Sequence, residues 1–120
     1  MNFLTTPQLE KKLIESVNEN NLDDVKILLK GANNDTEVLG PALLMATSMG
    51  YSDIVEELLW IKDNKGHKIG IHKGITSTDI ISALNTAKIN RENASDKKIW
   101  IDIIYNLSWI LVQILEDRHR

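Results

Sequence analysis

The stretch that decides the fold is Gly40–Trp60, GPALLMATSMGYSDIVEELLW. Apolar residues recur at helical spacing on both sides of Gly50, and glycine tolerates the left-handed conformation that ends many helices. Pro41 stands at the start of the first helix, where its missing N–H group costs no hydrogen bond. The stretch therefore predicts two short antiparallel helices, with Ser52 or Asp53 capping the second. Such a pair cannot bury its apolar faces alone, so it needs a stacked neighbour.

The neighbour is a second copy of the same pattern, offset by about 30 residues, which is close to the length of a helical repeat. Leu13–Ala32, LIESVNENNLDDVKILLKGA, repeats the paired leucines of the deciding stretch. Small Ser16 matches small Ala46, which allows the two helices to approach closely. A third, weaker copy begins at Ala83–Lys88 (ALNTAK) and continues in an outer helix around Ile99–Leu107.

These residues give the chain a resemblance to the ankyrin repeat family. The matching pieces are LLKGAN at Leu28–Asn33, PALLMAT at Pro41–Thr47 and GYSDIVEELL at Gly50–Leu59. The Thr and His of the family's TPLH start appear in no copy. Asn20 and Asn21 stand where a glycine would be expected, although asparagine is the next best residue for a left-handed turn. The resemblance covers roughly residues 9–115 and implies short, degenerate repeats.

The predicted fold class is all-α, an ankyrin-like solenoid of helix pairs in a single domain over residues 1–120. Its units are approximately 7–33, 40–61 and 78–117. Between the last two units, glycines and alternating residues argue against a helix, so segment 62–77 is predicted as a long loop or β-hairpin finger. Ser77 or Thr78 would cap the next helix, and Lys98–Arg118 reads as one extended final helix.

Composition excludes several classes of protein and of site. The chain has no cysteine, so it contains neither a disulfide scaffold nor a cysteine-based zinc site. Its net charge of −3 gives no footprint for nucleic acid. The N-terminus lacks a conventional signal peptide, which predicts a cytoplasmic protein and leaves specialised secretion into a host open. Polar residues interrupt the apolar final helix, whose run is shorter than the roughly 20 residues of a bilayer span, so no membrane contact is predicted.

No catalytic centre, metal site or cofactor is predicted. The adjacent carboxylates Asp23-Asp24 and Glu56-Glu57 point about 100° apart on a helix, so neither pair forms an acid and base across a cleft. His67 and His72 lie in a lysine-rich segment and are interpreted as solvated surface residues. A metal-dependent enzyme that uses these two histidines remains an alternative, to be abandoned if purified protein carries no stoichiometric metal.

The resemblance implies non-catalytic protein–protein recognition, as an inhibitor or immunity protein, or as an effector or adaptor. Inner helices and fingers form the concave face that ankyrin-like proteins use, and the finger lysines suit an acidic partner. The predicted partner-binding residues are Asn18, Glu19, Leu44, Ser48, Met49, Lys65, His67, Lys68, His72, Lys73, Asn85 and Lys88.

A different class of function is also open. The final helix is more apolar than the end of a solenoid needs to be. Its tryptophans, Trp100 and Trp109, are interpreted as packing between repeats, although tryptophans are also enriched at interface hot spots. The final helix either folds back over the third unit or presents Ile110, Ile114 and Leu115 to a second copy. In the second case the protein would be a structural homodimer.

Overall fold

Six helices and one β-hairpin make up the part of the chain that the structure describes, which is residues 6–31, 39–72 and 74–118 of a computed structural model. The segment that joins the first two predicted units lies almost wholly outside these residues. The protein is mostly helical, as the sequence predicts. In chain order the elements are α1 Thr6–Asn18, α2 Leu22–Gly31, α3 Gly40–Met49, α4 Ser52–Leu59, β1 Trp60–Lys62, β2 Lys68–Ile71, α5 Ser77–Asn93 and α6 Lys98–Arg118.

The helices pack as consecutive pairs in two layers. Each odd-numbered helix packs on the helix that follows it, and α3 also packs between α1 and α5. The other layer has α4 between α2 and α6. The predicted pairing within Gly40–Trp60 is therefore present as α3 and α4. The antiparallel hairpin of β1 and β2 leaves the end of α4 and replaces a tight turn before α5.

The hydrophobic core lies between the two layers of helices. Ala46 of α3 is fully buried, and Ser16, its counterpart in α1, is 6% exposed. Small residues at these positions let the layers approach closely, since a larger side chain would meet a core that is already filled. The largest fully buried side chains are Leu13, Leu39, Leu43, Ile54, Leu58, Leu59, Ile80, Ile103, Leu107, Ile110, Val17 and Val25.

Left-handed residues form the turns inside the first two helix pairs, as predicted. Gly50 has φ 72° and donates its N–H to the carbonyl of Thr47 at 3.1 Å. Asn20 has φ 55° at the corresponding turn between α1 and α2. Gly50 also lies under the ring of Trp100, because a Cβ built at residue 50 would be 3.2 Å from that ring. The turn between α3 and α4 is thereby tied to α6.

The caps of two helices differ from the sequence prediction. The N-cap of α4 is Tyr51, with no side-chain hydrogen bond, so the prediction of Ser52 or Asp53 is wrong. The N-cap of α5 is Thr76 rather than Ser77 or Thr78. Thr76 Oγ1 accepts from the N–H of Asp79 at 3.2 Å, and Asp79 Oδ2 accepts from the N–H of Thr76 at 2.9 Å. Thr76 is in the extended conformation that an N-cap requires, whereas the two residues after it are already helical.

Helix α6 has the predicted bounds and buries one face. Ile103, Leu107 and Ile110 are fully buried, while Ile99 at the start of the predicted stripe is 43% exposed. The burial of Ile110 corrects the expectation that it would face a second copy, because its side chain is already used in its own core.

By length and composition alone, Lys98–Glu116 of α6 is long and apolar enough to cross a membrane, with a mean hydropathy of 1.4. The prediction that the apolar run of this helix is too short to span a bilayer is therefore wrong. Only 17% of this window is buried inside the protein, and the buried part packs on α4 and α5. Composition leaves the role of the outward face open.

Candidate functional site

The predicted recognition face lies on the layer of α1, α3 and α5. Every inner-helix position predicted to contact a partner is exposed. All of them lie in these three helices except Glu19, which directly follows α1. Leu44 and Met49 are 39% and 41% exposed, which is high for large apolar side chains beside a filled core. Asn90 of α5 donates its side-chain N–H to the carbonyl of Ser48 at 3.2 Å, so α3 and α5 are joined at this face. The exposed positions are Asn18, Glu19, Leu44, Ser48, Met49, Asn85 and Lys88.

The predicted finger is a β-hairpin with a tip built around Asp63. Trp60 pairs with Ile71 and Ile61 with Gly70, and an irregularity follows Ile61. Asp63 Oδ1 accepts the backbone N–H groups of Lys65 and His67 at 2.8 and 2.9 Å. A carboxylate that accepts two backbone N–H groups organises the tip, which leaves the Lys65 side chain exposed.

The lysines of the hairpin are less free than the sequence suggests. Lys62 Nζ lies 3.2 Å from Glu57 and 3.6 Å from Glu56. Lys68 Nζ lies 3.4 Å from Glu56 and 5.0 Å from the centroid of the Trp60 ring. Three of the lysines predicted to bind a partner lie in the finger. Lys68 is paired with Glu56 and Lys73 falls outside the described residues, so Lys65 is the one whose side chain is exposed and forms no ion pair within them. A basic finger is therefore partly neutralised by the acidic end of α4.

The two histidines have different environments. His67 is on the exposed tip, with Nδ1 3.3 Å from the Asp63 carboxylate. His72 is only 3% exposed, and its backbone N–H donates to the carbonyl of Leu59 at 3.1 Å. The interpretation of His72 as a solvated surface residue is therefore wrong, because the end of β2 folds back onto the end of α4. Among the described residues, no group of three or more His, Cys, Asp or Glu side chains could hold a metal ion.

Sequence reasoning missed a groove between α2 and the hairpin. The groove encloses about 680 Å³ and opens to solvent. Lys26 and Lys30 line one wall from α2, and Trp60 and His72 line the hairpin side beside Glu57. The signal in the sequence is weak, because it consists of one tryptophan and one histidine whose proximity depends on the hairpin register.

Two buried nitrogens in this groove have no hydrogen-bond partner within the described part of the chain. They are Trp60 Nε1 and His72 Nδ1. Burial lowers the pKa of His72 from its ordinary value of 6.5, while the Glu57 carboxylate and backbone hydrogen bonds with Trp60 and Glu57 act in the opposite direction. The imidazole is therefore neutral at neutral pH.

No protein-family model, curated protein or solved structure matches the chain.

Proposed function

We propose that this chain is a non-catalytic protein–protein recognition module, built as a short, degenerate ankyrin-like solenoid. The helix pairs and their two layers support the solenoid, as does the agreement of Gly50 and Asn20 with the left-handed turns of the repeat. The family assignment itself rests on the residues of the first two units.

The exposed inner layer is the observation that carries the proposal. Leu44 and Met49 present apolar surface on α3, and polar side chains are exposed on α1 and α5, the helices that pack on either side of it. An apolar centre with a polar rim is the usual composition of a protein interface. Lys65 at the hairpin tip adds a positive charge that suits an acidic partner. Inhibition or neutralisation of one partner is the specific role that we favour, and an effector or adaptor role uses the same surface.

Affinity capture from the native cells tests this surface. We expect one stoichiometric partner on the tagged wild-type protein, lost in the double variant Leu44→Glu and Met49→Glu. The matched control is Ile27→Glu, which places the same charge on another exposed apolar residue, 67% exposed on α2 of the other layer. A partner retained by the double variant would move the site away from the inner layer.

A structural homodimer is the second candidate, supported by the outward face of α6. Ile101, Tyr105, Trp109 and Val112 are all exposed, at 51%, 73%, 51% and 47%. Their spacing of four, four and three residues places them on one side of the helix. This face replaces the predicted contact through Ile110.

A further inference from the structure

The groove between α2 and the hairpin is lined by two lysines of α2, although the protein as a whole carries a net negative charge. Lys26 and Lys30 are four residues apart on α2, so both reach the same wall. Neither forms an ion pair with any residue in the described ranges. The acidic groups of the groove already have internal partners, since Glu57 pairs with Lys62 and Asp63 with His67. The two α2 lysines are thus the cations left to attract a ligand.

Two residues of the groove each carry a buried nitrogen that has no hydrogen-bond partner among the described residues. The first is Trp60 Nε1, which can only donate a hydrogen bond. The second is His72 Nδ1, which also has no hydrogen-bond partner. Leaving such groups unpaired is unfavourable, because each has lost its contact with water without a replacement. A ligand that carries both a donor and an acceptor offers the groups that these two nitrogens lack.

A peptide backbone has this combination, because every amide carries an N–H donor and a C=O acceptor. Leu29 and Ile61 supply apolar surface in the same groove for a side chain. The volume of about 680 Å³ falls within the range of roughly 300–1,000 Å³ that is usual for ligand sites. Lys26 and Lys30 are exposed along the groove, so they favour a peptide whose side chains carry carboxylates.

We infer that the groove between α2 and the hairpin binds an extended acidic peptide segment of a partner protein, with Trp60 Nε1 and His72 Nδ1 on its backbone and Lys26 and Lys30 on its carboxylates. The inference rests on the proposed function and assigns it a second contact surface, on the opposite layer from Leu44 and Met49.

Selection from a phage-displayed library of random peptides against the full chain tests the inference. We expect selected peptides to be enriched in Asp and Glu. The double variant Lys26→Glu and Lys30→Glu should raise their Kd more than about tenfold, because close like charges replace attraction. Trp60→Phe removes the N–H donor and keeps an aromatic ring, and should raise Kd by roughly three- to tenfold. The matched control, Lys11→Glu with Lys12→Glu, makes the same charge change on exposed positions of α1 and should leave Kd unchanged.

Nuclear magnetic resonance locates the bound peptide. The indole N–H signal of Trp60 should shift on titration, while that of Trp109 on the outward face of α6 should not. Peptides without acidic residues, or a Kd insensitive to both groove variants, would overturn the inference. Displacement of the peptide by inorganic phosphate at matched ionic strength would also overturn it and make the groove a simple anion site.

The same assay separates this inference from the proposed function. Leu44→Glu with Met49→Glu should leave peptide binding to the groove intact. Loss of the captured partner in that variant, together with failure of the peptide test, would reject the groove and keep the inner layer. The reverse result would reject the inner layer alone.

Discussion

His72 shows how one residue can depart from its sequence context. It follows a strand of exposed and half-buried residues, yet its own side chain is almost fully buried. The backbone hydrogen bond to Leu59 draws the end of β2 onto α4. Trp60 pairs with Ile71, the residue that precedes His72. Burial disfavours the charged form of histidine, so protonation of this group opposes folding.

The first prediction concerns the effect of low pH on stability through this buried imidazole. The pKa of His72 is lowered in the folded state, so below about pH 6.5 the unfolded chain binds a proton that the folded chain does not. Stability should therefore fall as pH decreases through the unfolded pKa towards the folded one. Urea unfolding at pH 7.5 and pH 5.5 should show a larger loss for the wild-type protein than for His72→Gln.

The matched control is His67→Gln, because His67 is exposed at the hairpin tip. It should keep most of the wild-type pH dependence. Equal pH dependence in the wild-type protein and His72→Gln would contradict the burial of the neutral imidazole.

At the scale of the element, α5 begins with a capping box, and the extended backbone of Thr76 identifies this residue as the N-cap. Thr76 and Asp79 satisfy each other's backbone N–H groups. Asp79 also lies against Gly40, where a Cβ would come within 2.5 Å of its carboxylate oxygen. The start of α5 and the start of α3 therefore meet closely because residue 40 has no side chain.

The second prediction is that Thr76→Ala lowers the free energy of unfolding by about 1 kcal/mol, the usual loss for an N-cap. Thr78→Ala is the matched control, since Thr78 is exposed inside the helix and was an alternative cap from the sequence. Its effect should lie within about 0.5 kcal/mol of zero. Chemical denaturation of the two variants measures the difference, and equal losses would show that Thr76 does not cap the helix.

The third prediction concerns the contact of α3 with its neighbours. Ala46→Leu should destabilise the protein by roughly 1–3 kcal/mol, because a larger side chain overfills a position with no exposure. Ser48→Leu adds a large apolar side chain to an exposed position of the same helix and should have little effect on thermal unfolding. A neutral Ala46→Leu would mean that the helices are paired differently.

For the whole molecule, the two ends of the stack of helix pairs differ. Polar side chains such as Lys11, Lys12 and Glu15 are exposed on α1, as suits an end that faces water. Helix α6 instead exposes Tyr105 and Trp109 at the other end. Stacked helical repeats bury apolar surface against a neighbour, and an end without one normally carries a polar face.

The fourth prediction follows from this apolar end. Analytical ultracentrifugation at micromolar concentration should give the mass of a dimer for the wild-type protein. Trp109→Glu with Val112→Glu should give a folded monomer, because charges on the shared face repel and lose apolar contact. Ile27→Glu is the control, because it changes an exposed apolar residue outside α6 and should leave the dimer intact. A wild-type monomer would remove the homodimer from consideration.

Local sequence patterns determined the helices of this protein and the places where they turn. The bounds of α6, the left-handed residues Asn20 and Gly50, and the hairpin before α5 all follow from periodicity, glycine or asparagine chemistry, and alternation, which act over a few residues. Exposure of the predicted inner-helix positions also follows, because it depends on the same periodicity.

Only the tertiary structure decided which polar groups face one another. It buried His72, paired Lys68 with Glu56, and placed Lys26 and Lys30 across a groove from Trp60. It also committed Ile110 to the core and left the opposite face of α6 uncovered. These outcomes depend on contacts between residues far apart in the chain, and no local pattern encodes the register or the packing partner that produces them.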